Sequence, residues 1–156
     1  MNFKLGRLNE YHVKEICNWK YADEYSVYNY PKWGMVISQN WAISIESKRE
    51  NEFVAIINEL DNLCGYIRFI KKDDCILVGI GLNPLLCGQG LGNNIMDLLK
   101  EECKNRYGNQ KISLEVRSFN KRAIKCYKKA GFKITDTYSK DTYIGYDEFL
   151  RTDFYI

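Results

Sequence analysis

A short glycine-rich segment, Gly88-Gln89-Gly90-Leu91-Gly92, constrains this chain more than any other part of its sequence. Residues 75–82 before it are mostly aliphatic and predict a strand. Residues 91–107 after it predict a helix with one aliphatic face, formed by Leu91, Ile95, Leu98 and Leu99. A glycine loop that joins a strand to a helix gathers backbone amides and the positive end of the helix dipole around one point. The sequence therefore predicts an anion-binding site.

The spacing of this segment excludes two familiar nucleotide-binding loops. A Walker-type loop ends in Gly-Lys-Ser/Thr, whereas Gly92 is followed by Asn93-Asn94. A dinucleotide fingerprint that starts at Gly88 or Gly90 needs a final glycine at the place of Asn93 or Ile95. A phosphate-containing ligand of another class remains, and so does a glycine-rich turn without a ligand.

Length and composition limit the classes of protein to consider. A chain of 156 residues fits a single domain spanning residues 1–156. Its net charge of +3 does not indicate nucleic acid. Six scattered cysteines and one histidine form no zinc-type spacing, so we expect no metal site. With neither a signal sequence nor an apolar stretch long enough to cross a bilayer, we expect a cytoplasmic protein that does not bind membranes.

The remaining hydrophobic pattern predicts a mixed α+β fold. Strands are expected at residues 3–8, 52–58, 62–71, 75–82, 111–116, 132–138 and 149–156, and helices at residues 10–18, 91–107 and 120–130. The aromatic segment 19–41 predicts a loop, a helix and a further loop that ends near Ser47. These elements predict a central, mostly antiparallel sheet with helices on both faces.

Two motifs in the second half of the chain resemble the GNAT family of N-acetyltransferases. The first is Pro84-x-x-Cys87-Gly88-Gln89-Gly90-Leu91-Gly92, and the second is Leu114-Glu115-Val116-Arg117-x-x-Asn120-x-x-Ala123-Ile124-x-x-Tyr127-x-x-x-Gly131-Phe132. They follow the family's order and spacing, and the resemblance extends from about Phe53 to the C-terminus. The second motif is most similar to that of the ribosomal-protein alanine N-acetyltransferases. The resemblance implies the GNAT acyl-CoA N-acyltransferase fold and acetyl-CoA as co-substrate.

The resemblance also implies which residues bind the coenzyme. Backbone amides would hold its pyrophosphate at Gly88, Gln89, Gly90, Leu91, Gly92 and Asn93. Leu82 and its neighbours would bind the pantetheine arm and the thioester carbonyl, and Asn120 would contact the coenzyme. Independently of the family, Asn120 is a good helix N-cap. Cys87 stands where the family usually has Arg or Gln, so we expect weaker coenzyme binding.

Two residues are candidates for proton transfer. Amine acetylation needs a group that accepts the amine proton and one that protonates the leaving thiolate. In the strand at residues 111–116, Glu115 faces away from Leu114 and Val116. The resemblance makes Glu115 the base and Tyr127 the acid. The alternatives are a glutamate on a solvated strand face and an ordinary core tyrosine.

The expected partners are acetyl-CoA and an amine acceptor, which is either a small molecule or a protein N-terminus. Asp23 and Glu24 lie among aromatic residues where the family usually binds its acceptor, although plain packing of an irregular segment is the favoured explanation. The last strand, residues 149–156, could pair in a homodimer. The alternative function is a non-catalytic acyl-CoA-binding sensor that keeps the loop but has lost transfer.

Overall fold

The computed structural model describes residues 2–156 and contains seven strands and five α-helices over that range. The strands are β1 Phe3–Gly6, β2 Phe53–Asn58, β3 Leu63–Lys71, β4 Ile76–Leu82, β5 Lys111–Arg117, β6 Lys133–Thr142 and β7 Gly145–Tyr155. The helices are α1 Glu10–Asn18, α2 Trp33–Ser38, α3 Glu46–Glu52, α4 Gly92–Tyr107 and α5 Lys121–Lys129. Short 3-10 helices occupy Asp23–Tyr28, Ala42–Ser44 and Pro84–Leu86.

The strands form one sheet in the order β1-β2-β3-β4-β5-β7-β6. β1 pairs with β2, β2 with β3, β5 with β7 and β6 with β7, all antiparallel, whereas β4 and β5 are parallel. A parallel pair needs a long crossover, which the chain makes here through α4. The predicted mixed α+β fold with a mostly antiparallel sheet is confirmed.

The chain divides into two compact units. The first contains the residues up to Arg68 together with Ile80–Gln89, and the second contains Phe69–Gly79 together with Gly90–Ile156. In the first unit α1 starts with a reciprocal cap: His12 N–H donates to Asn9 Oδ1 at 2.9 Å, and Asn9 N–H donates to His12 Nδ1 at 3.1 Å. Its core contains Leu8, Val13, Ile16, Val36, Ile43, Phe53 and Ala55.

In the second unit α4 buries one aliphatic stripe, formed by Ile95, Met96, Leu99 and Cys103. The helix ends at Gly108, which has a φ of 75° and acts as the predicted stop. β5 buries Ile112, Leu114 and Val116. This unit therefore carries both the helix that follows the glycine loop and the strand that contains Glu115.

Some elements differ from their predicted bounds. α3 lies where the sequence predicts the end of a loop. Its residues Glu46–Glu52 are mostly polar and only Arg49 is buried, so no apolar periodicity marks this helix in the sequence. β6 continues to Thr142 and β7 begins at Gly145, so their hairpin is longer than predicted. None of the helices within residues 2–156 combines the length and apolar character that crossing a bilayer requires.

Candidate active site

The connection from β4 to α4 contains two glycines in the left-handed region of backbone conformation. Gly88 has a φ of 78° and Gly90 a φ of 74°, where a side chain would introduce strain. Before them, Pro84–Leu86 makes a 3-10 turn, and Gln89 Nε2 donates a hydrogen bond of 2.7 Å to the carbonyl of Leu85. The strand, glycine loop and helix predicted from the sequence are present in this order.

The N-terminus of α4 has the character of an anion-binding site. Over the described part of the chain, no side chain caps this helix, and its first turn contains no acidic residue. The first N–H groups of a helix have no partner inside it and lie at the positive end of its dipole. The amides of Gly92 and Asn93 are thus placed to bind a phosphate-like group.

Gly92 lies directly against α5. A Cβ atom built on Gly92 would lie 2.4 Å from the Sγ atom of Cys126, closer than real Cβ atoms come to any neighbour. Glycine therefore allows the first turn of α4 to pack against the helix that carries Tyr127.

The helix α5 begins at Asn120 and carries Tyr127 near its end. Asn120 Oδ1 accepts a hydrogen bond of 3.1 Å from the N–H of Ala123, which confirms the predicted N-cap. Tyr127 is half-buried, and its ring centroid lies 6.2 Å from that of Phe132. The ring is packed on one side while part of the side chain remains accessible.

Glu115 is partly exposed on β5 and is held by two residues of β6. The hydroxyl of Tyr138 donates to Glu115 Oε2, and the ammonium of Lys140 pairs with Glu115 Oε1. Burial, and next the hydrogen bond to Glu115, raise the pKa of Tyr138, so its hydroxyl remains protonated at neutral pH. Glu115 therefore lies neither in a fully solvated position nor in an apolar one.

The sequence motif indicates Glu115 but neither of its partners. Tyr138 and Lys140 lie 23 and 25 residues further along the chain. Their approach depends on the register of β6 against β7, where Tyr138 is opposite Phe149 and Lys140 is opposite Asp147. Local sequence indicates only that two residues spaced two apart in a strand share a face.

A buried polar cluster joins β5, β6 and β7 beside Glu115. Asp153 is 6% exposed and accepts hydrogen bonds from Ser113 at 2.6 Å, Thr135 at 2.9 Å and Arg151 at 3.3 Å. Burial opposes ionisation of Asp153, but these three donors outweigh it and lower the pKa of the carboxyl group. Arg151 is the register partner of Glu115, and its guanidinium also donates to Ser113 at 3.0 Å. The cluster thus fixes the strands that carry Glu115 and Tyr138.

In the first unit, the carboxyl end of β4 is contacted by Tyr21. The hydroxyl of Tyr21 donates a hydrogen bond of 2.7 Å to the carbonyl of Leu82. Burial raises the pKa of Tyr21, so this hydroxyl remains a donor. The next residue, Asn83, donates its N–H to the carbonyl of Cys64 at 2.8 Å. The backbone around Leu82 is therefore held from two sides.

Cys87 is half-buried, and its thiol faces the carbonyl oxygens of Asn83 at 3.7 Å and Leu82 at 4.0 Å. The thiol of Cys87 thus packs against the turn that precedes the two glycines. Within residues 2–156, no group of three or more histidine, cysteine and acidic side chains has the arrangement of a metal site.

The aromatic segment packs against the core of the first unit. Its partly buried members include Tyr21, Tyr30, Trp33 and Trp41. The rings of Tyr30 and Trp41 have centroids 5.4 Å apart, and Tyr66 donates a hydrogen bond of 3.2 Å to the hydroxyl of Tyr30. Plain packing of these rings is confirmed, while Asp23 and Glu24 are exposed at the start of a 3-10 helix.

The register of β4 and β5 covers three residue pairs, from Ile76 opposite Ile112 to Val78 opposite Leu114. Both strands continue beyond these pairs, β4 to Leu82 and β5 to Arg117. Leu82 and Glu115 therefore lie in the parts of β4 and β5 that extend beyond these three pairs.

Solved structures with the same fold are N-acetyltransferases of low sequence identity. The spermidine/spermine N-acetyltransferase SpeG from Vibrio cholerae superposes with a TM-score of 0.74 at 16% identity, covering 98% of this chain and 92% of that one. The ribosomal-protein-S18-alanine N-acetyltransferase from Escherichia coli gives a TM-score of 0.68 at 18% identity, with 99% and 94% covered. At such identities the likeness shows a shared fold.

A comparison with curated protein sequences finds no match. The sequence model described as "Acetyltransferase (GNAT) family" matches residues 13–132, well over half of the chain. This match includes the glycine loop, Glu115, Asn120 and Tyr127. The chain therefore belongs to the GNAT family of acetyltransferases.

Proposed function

We propose that this protein is an N-acetyltransferase that passes the acetyl group of acetyl-CoA directly to a primary amine. The observation that carries the proposal is the start of α4, where a glycine loop leads into a helix without a side-chain cap or an acidic residue in its first turn. This arrangement suits a dianionic pyrophosphate. Family membership supplies acetyl transfer as the general chemistry.

The coenzyme's pyrophosphate is assigned to the backbone amides of Gly88, Gln89, Gly90, Leu91, Gly92 and Asn93. Asn120 keeps the assignment to the coenzyme that the family resemblance implies, beside the capping bond that its side-chain oxygen accepts from Ala123. The thiol of Cys87 is directed at nearby carbonyls, so this position supplies a backbone amide without the long polar side chain usual in the family.

Pantetheine is assigned to the carboxyl end of β4 around Leu82. The carbonyl of Leu82 already accepts a hydrogen bond from Tyr21 and lies 4.0 Å from the thiol of Cys87, but a thiol is a weak donor and the oxygen's second lone pair can accept a stronger one. A pantetheine N–H is such a donor. The neighbouring backbone N–H would stabilise the thioester carbonyl oxygen as it gains negative charge.

Glu115 and Tyr127 are assigned to proton transfer. The nitrogen of the neutral amine attacks the thioester carbon, and its proton passes to the carboxylate of Glu115, directly or through a water molecule. When the carbon–sulfur bond breaks, Tyr127 gives its hydroxyl proton to the departing thiolate. Solvent then returns a proton to Tyr127 and removes one from Glu115, so the products are an N-acetylated amine and coenzyme A.

The acceptor is a primary amine on a small molecule or at a protein N-terminus. The names of the structural neighbours cover both possibilities, since one is a spermidine/spermine N-acetyltransferase and the other acts on the alanine of a ribosomal protein. Asp23 and Glu24, which are exposed beside partly buried aromatic rings, are the groups we assign to a cationic acceptor.

One observation favours a second candidate function, a non-catalytic acyl-CoA-binding sensor. Both oxygens of Glu115 already have partners, Tyr138 and Lys140. These two contacts leave less room at the carboxylate for an acceptor amine than an unpaired glutamate would. A sensor would bind the coenzyme at the same loop without needing Glu115.

A thiol-release assay with acetyl-CoA and a panel of amines distinguishes the two functions. We expect release that depends on one class of amine, measured against a reaction without amine. Coenzyme A should also raise the melting temperature, because a ligand that binds only the folded state stabilises it. A raised melting temperature without amine-dependent release supports the sensor, and neither effect contradicts both functions.

A further inference from the structure

The carboxylate of Glu115 is held from a strand that is not its neighbour in the sheet. β7 lies between β5 and β6, so the backbones of these two strands are about two strand spacings, or ~10 Å, apart. Tyr138 and Lys140 nevertheless reach Glu115 Oε2 and Oε1, respectively. Each oxygen thus has its own partner.

The ring of Phe149 supports both partners of Glu115. This residue is 7% exposed and lies opposite Tyr138 on β7. Its ring centroid is 6.5 Å from that of Tyr138, with the planes 21° apart, and 4.6 Å from Lys140 Nζ. Stacking and cation–π contacts of this kind hold the two side chains in place above the ring.

The other cations near Glu115 on this face have different partners. Arg117 pairs with Asp147 at 2.7 Å and lies 5.0 Å from the ring of Phe149. Arg151, the register partner of Glu115, donates to Asp153 and Ser113. Lys140 pairs with Glu115.

Contacts at both carboxylate oxygens restrict the rotation of the Glu115 side chain, which has three torsion angles. These contacts do not use all the lone pairs of the two oxygens. Each carboxylate oxygen can accept two hydrogen bonds, so Glu115 retains capacity for a proton or a water molecule. The hydroxyl of Tyr138 is the donor in its contact with Glu115. A misplacement of such a group by about 1 Å can cost about 100-fold in rate.

We propose that Tyr138 and Lys140 are positioning residues that hold the carboxylate of Glu115 in the orientation in which it accepts the proton of the acceptor amine. The inference rests on the role proposed above for Glu115. It assigns Tyr138 and Lys140 no contact with the substrates.

Crystal structures of the wild type and of the Lys140→Met, Tyr138→Phe and double variants test the positioning without a measurement of activity. We expect the Glu115 carboxylate to occupy one conformation in the wild type and to change rotamer or become disordered in the double variant. An unchanged carboxylate in the double variant overturns the proposal. These structures decide the question even if the wild type proves to have no transferase activity.

A double-mutant cycle with Glu115→Gln tests the catalytic consequence. We expect Lys140→Met and Tyr138→Phe to lower kcat by about 10- to 100-fold while the KM for acetyl-CoA stays within about twofold. In the Glu115→Gln background the same changes should have little further effect. Equal losses in both backgrounds overturn the proposal, whereas no amine-dependent thiol release by the wild type contradicts the proposed function instead.

Matched controls separate positioning from general effects of charge and stability. Lys140→Arg should restore most of kcat, because it keeps a cation that can reach Glu115. Lys4→Met removes the same charge at an exposed ion pair with Asp61 in the other unit and should leave kcat unchanged. A loss with Lys4→Met equal to that with Lys140→Met contradicts a specific role for Lys140.

Discussion

The hydroxyl of Tyr21 donates a hydrogen bond of 2.7 Å to the carbonyl oxygen of Leu82. Tyr21 belongs to the aromatic segment before β2, and Leu82 is the last residue of β4. The bond therefore joins the segment assigned to the acceptor amine with the strand end assigned to pantetheine. A change in one segment should affect ligand binding at the other.

Tyr21→Phe should weaken both the fold and coenzyme binding. Loss of the hydrogen bond should lower the free energy of unfolding by about 1 kcal/mol. If pantetheine binds at Leu82, the Kd for coenzyme A should rise about fivefold, which corresponds to about 1 kcal/mol. Denaturant unfolding and calorimetric titration measure the two effects. Tyr11→Phe, at a tyrosine that is 81% exposed, is the control, and an unchanged Kd in Tyr21→Phe contradicts the assignment of Leu82.

Gly92→Ala should destabilise the packing of α4 on α5, and Cys126→Ala should remove most of this destabilisation. The added Cβ would lie 2.4 Å from Cys126 Sγ, an overpacking that costs about 1–3 kcal/mol. In the Cys126→Ala background the nearest atom is Cys126 Cβ at 3.7 Å, an ordinary contact. Gly92→Ala should therefore cost much less in that background, measured by denaturant unfolding.

Gly34→Ala is the matched control for Gly92→Ala. Gly34 lies in α2, and a Cβ there meets no atom within 4 Å, so alanine should be neutral or stabilise by about 0.5–1 kcal/mol. Equal costs for Gly92→Ala with and without Cys126 would show that contact with the thiol is not the cause.

The parts of the site that depend on local chain geometry could be predicted from the sequence. The order of strand, glycine loop and helix follows from hydrophobic periodicity and from Gly88 and Gly90, and the N-cap at Asn120 follows from its residue type and place. Even the α1 helix was predicted with its observed bounds, Glu10–Asn18. In each case the information lies within one or two turns of chain.

The parts that depend on long-range pairing could not be predicted. The β6–β7 hairpin extends through mostly exposed polar residues up to Thr142 opposite Gly145, so no alternating buried face marks its full length in the sequence. The partners of Glu115 come from this hairpin. The acid–base candidate was thus identifiable from its motif, but its environment required the register of three strands.

Asp153→Asn should destabilise the second unit and make its free energy of unfolding less dependent on pH in the acid range. The pKa of Asp153 is lowered from its ordinary value of 3.8 by Ser113, Thr135 and Arg151. Its contribution is therefore fully present above about pH 4 and is lost as the pH falls through the lower folded-state pKa. Asparagine removes the charge with which Arg151 pairs, which should cost about 1–3 kcal/mol at neutral pH.

Unfolding free energies measured from pH 7 to pH 2 check this prediction for Asp153. The wild type should lose stability below about pH 4 more steeply than Asp153→Asn. Asp61→Asn, at an aspartate whose side chain is 81% exposed, should behave as the wild type. Parallel curves for the wild type and Asp153→Asn would show that Asp153 does not contribute to the acid dependence.

Tyr127→Phe should lower turnover while leaving the coenzyme bound. The ring of Tyr127 packs near Phe132, and phenylalanine preserves this contact while removing only the hydroxyl. General acid catalysis contributes about 10²- to 10⁴-fold, so kcat should fall within this range while the Kd for coenzyme A changes little. Steady-state kinetics with acetyl-CoA and the best acceptor, with Tyr155→Phe at a 73% exposed tyrosine as control, measure the effect. If kcat is unchanged, the departing thiolate takes its proton from another group, whereas a fall in coenzyme affinity equal to the fall in kcat/KM would make Tyr127 a binding residue.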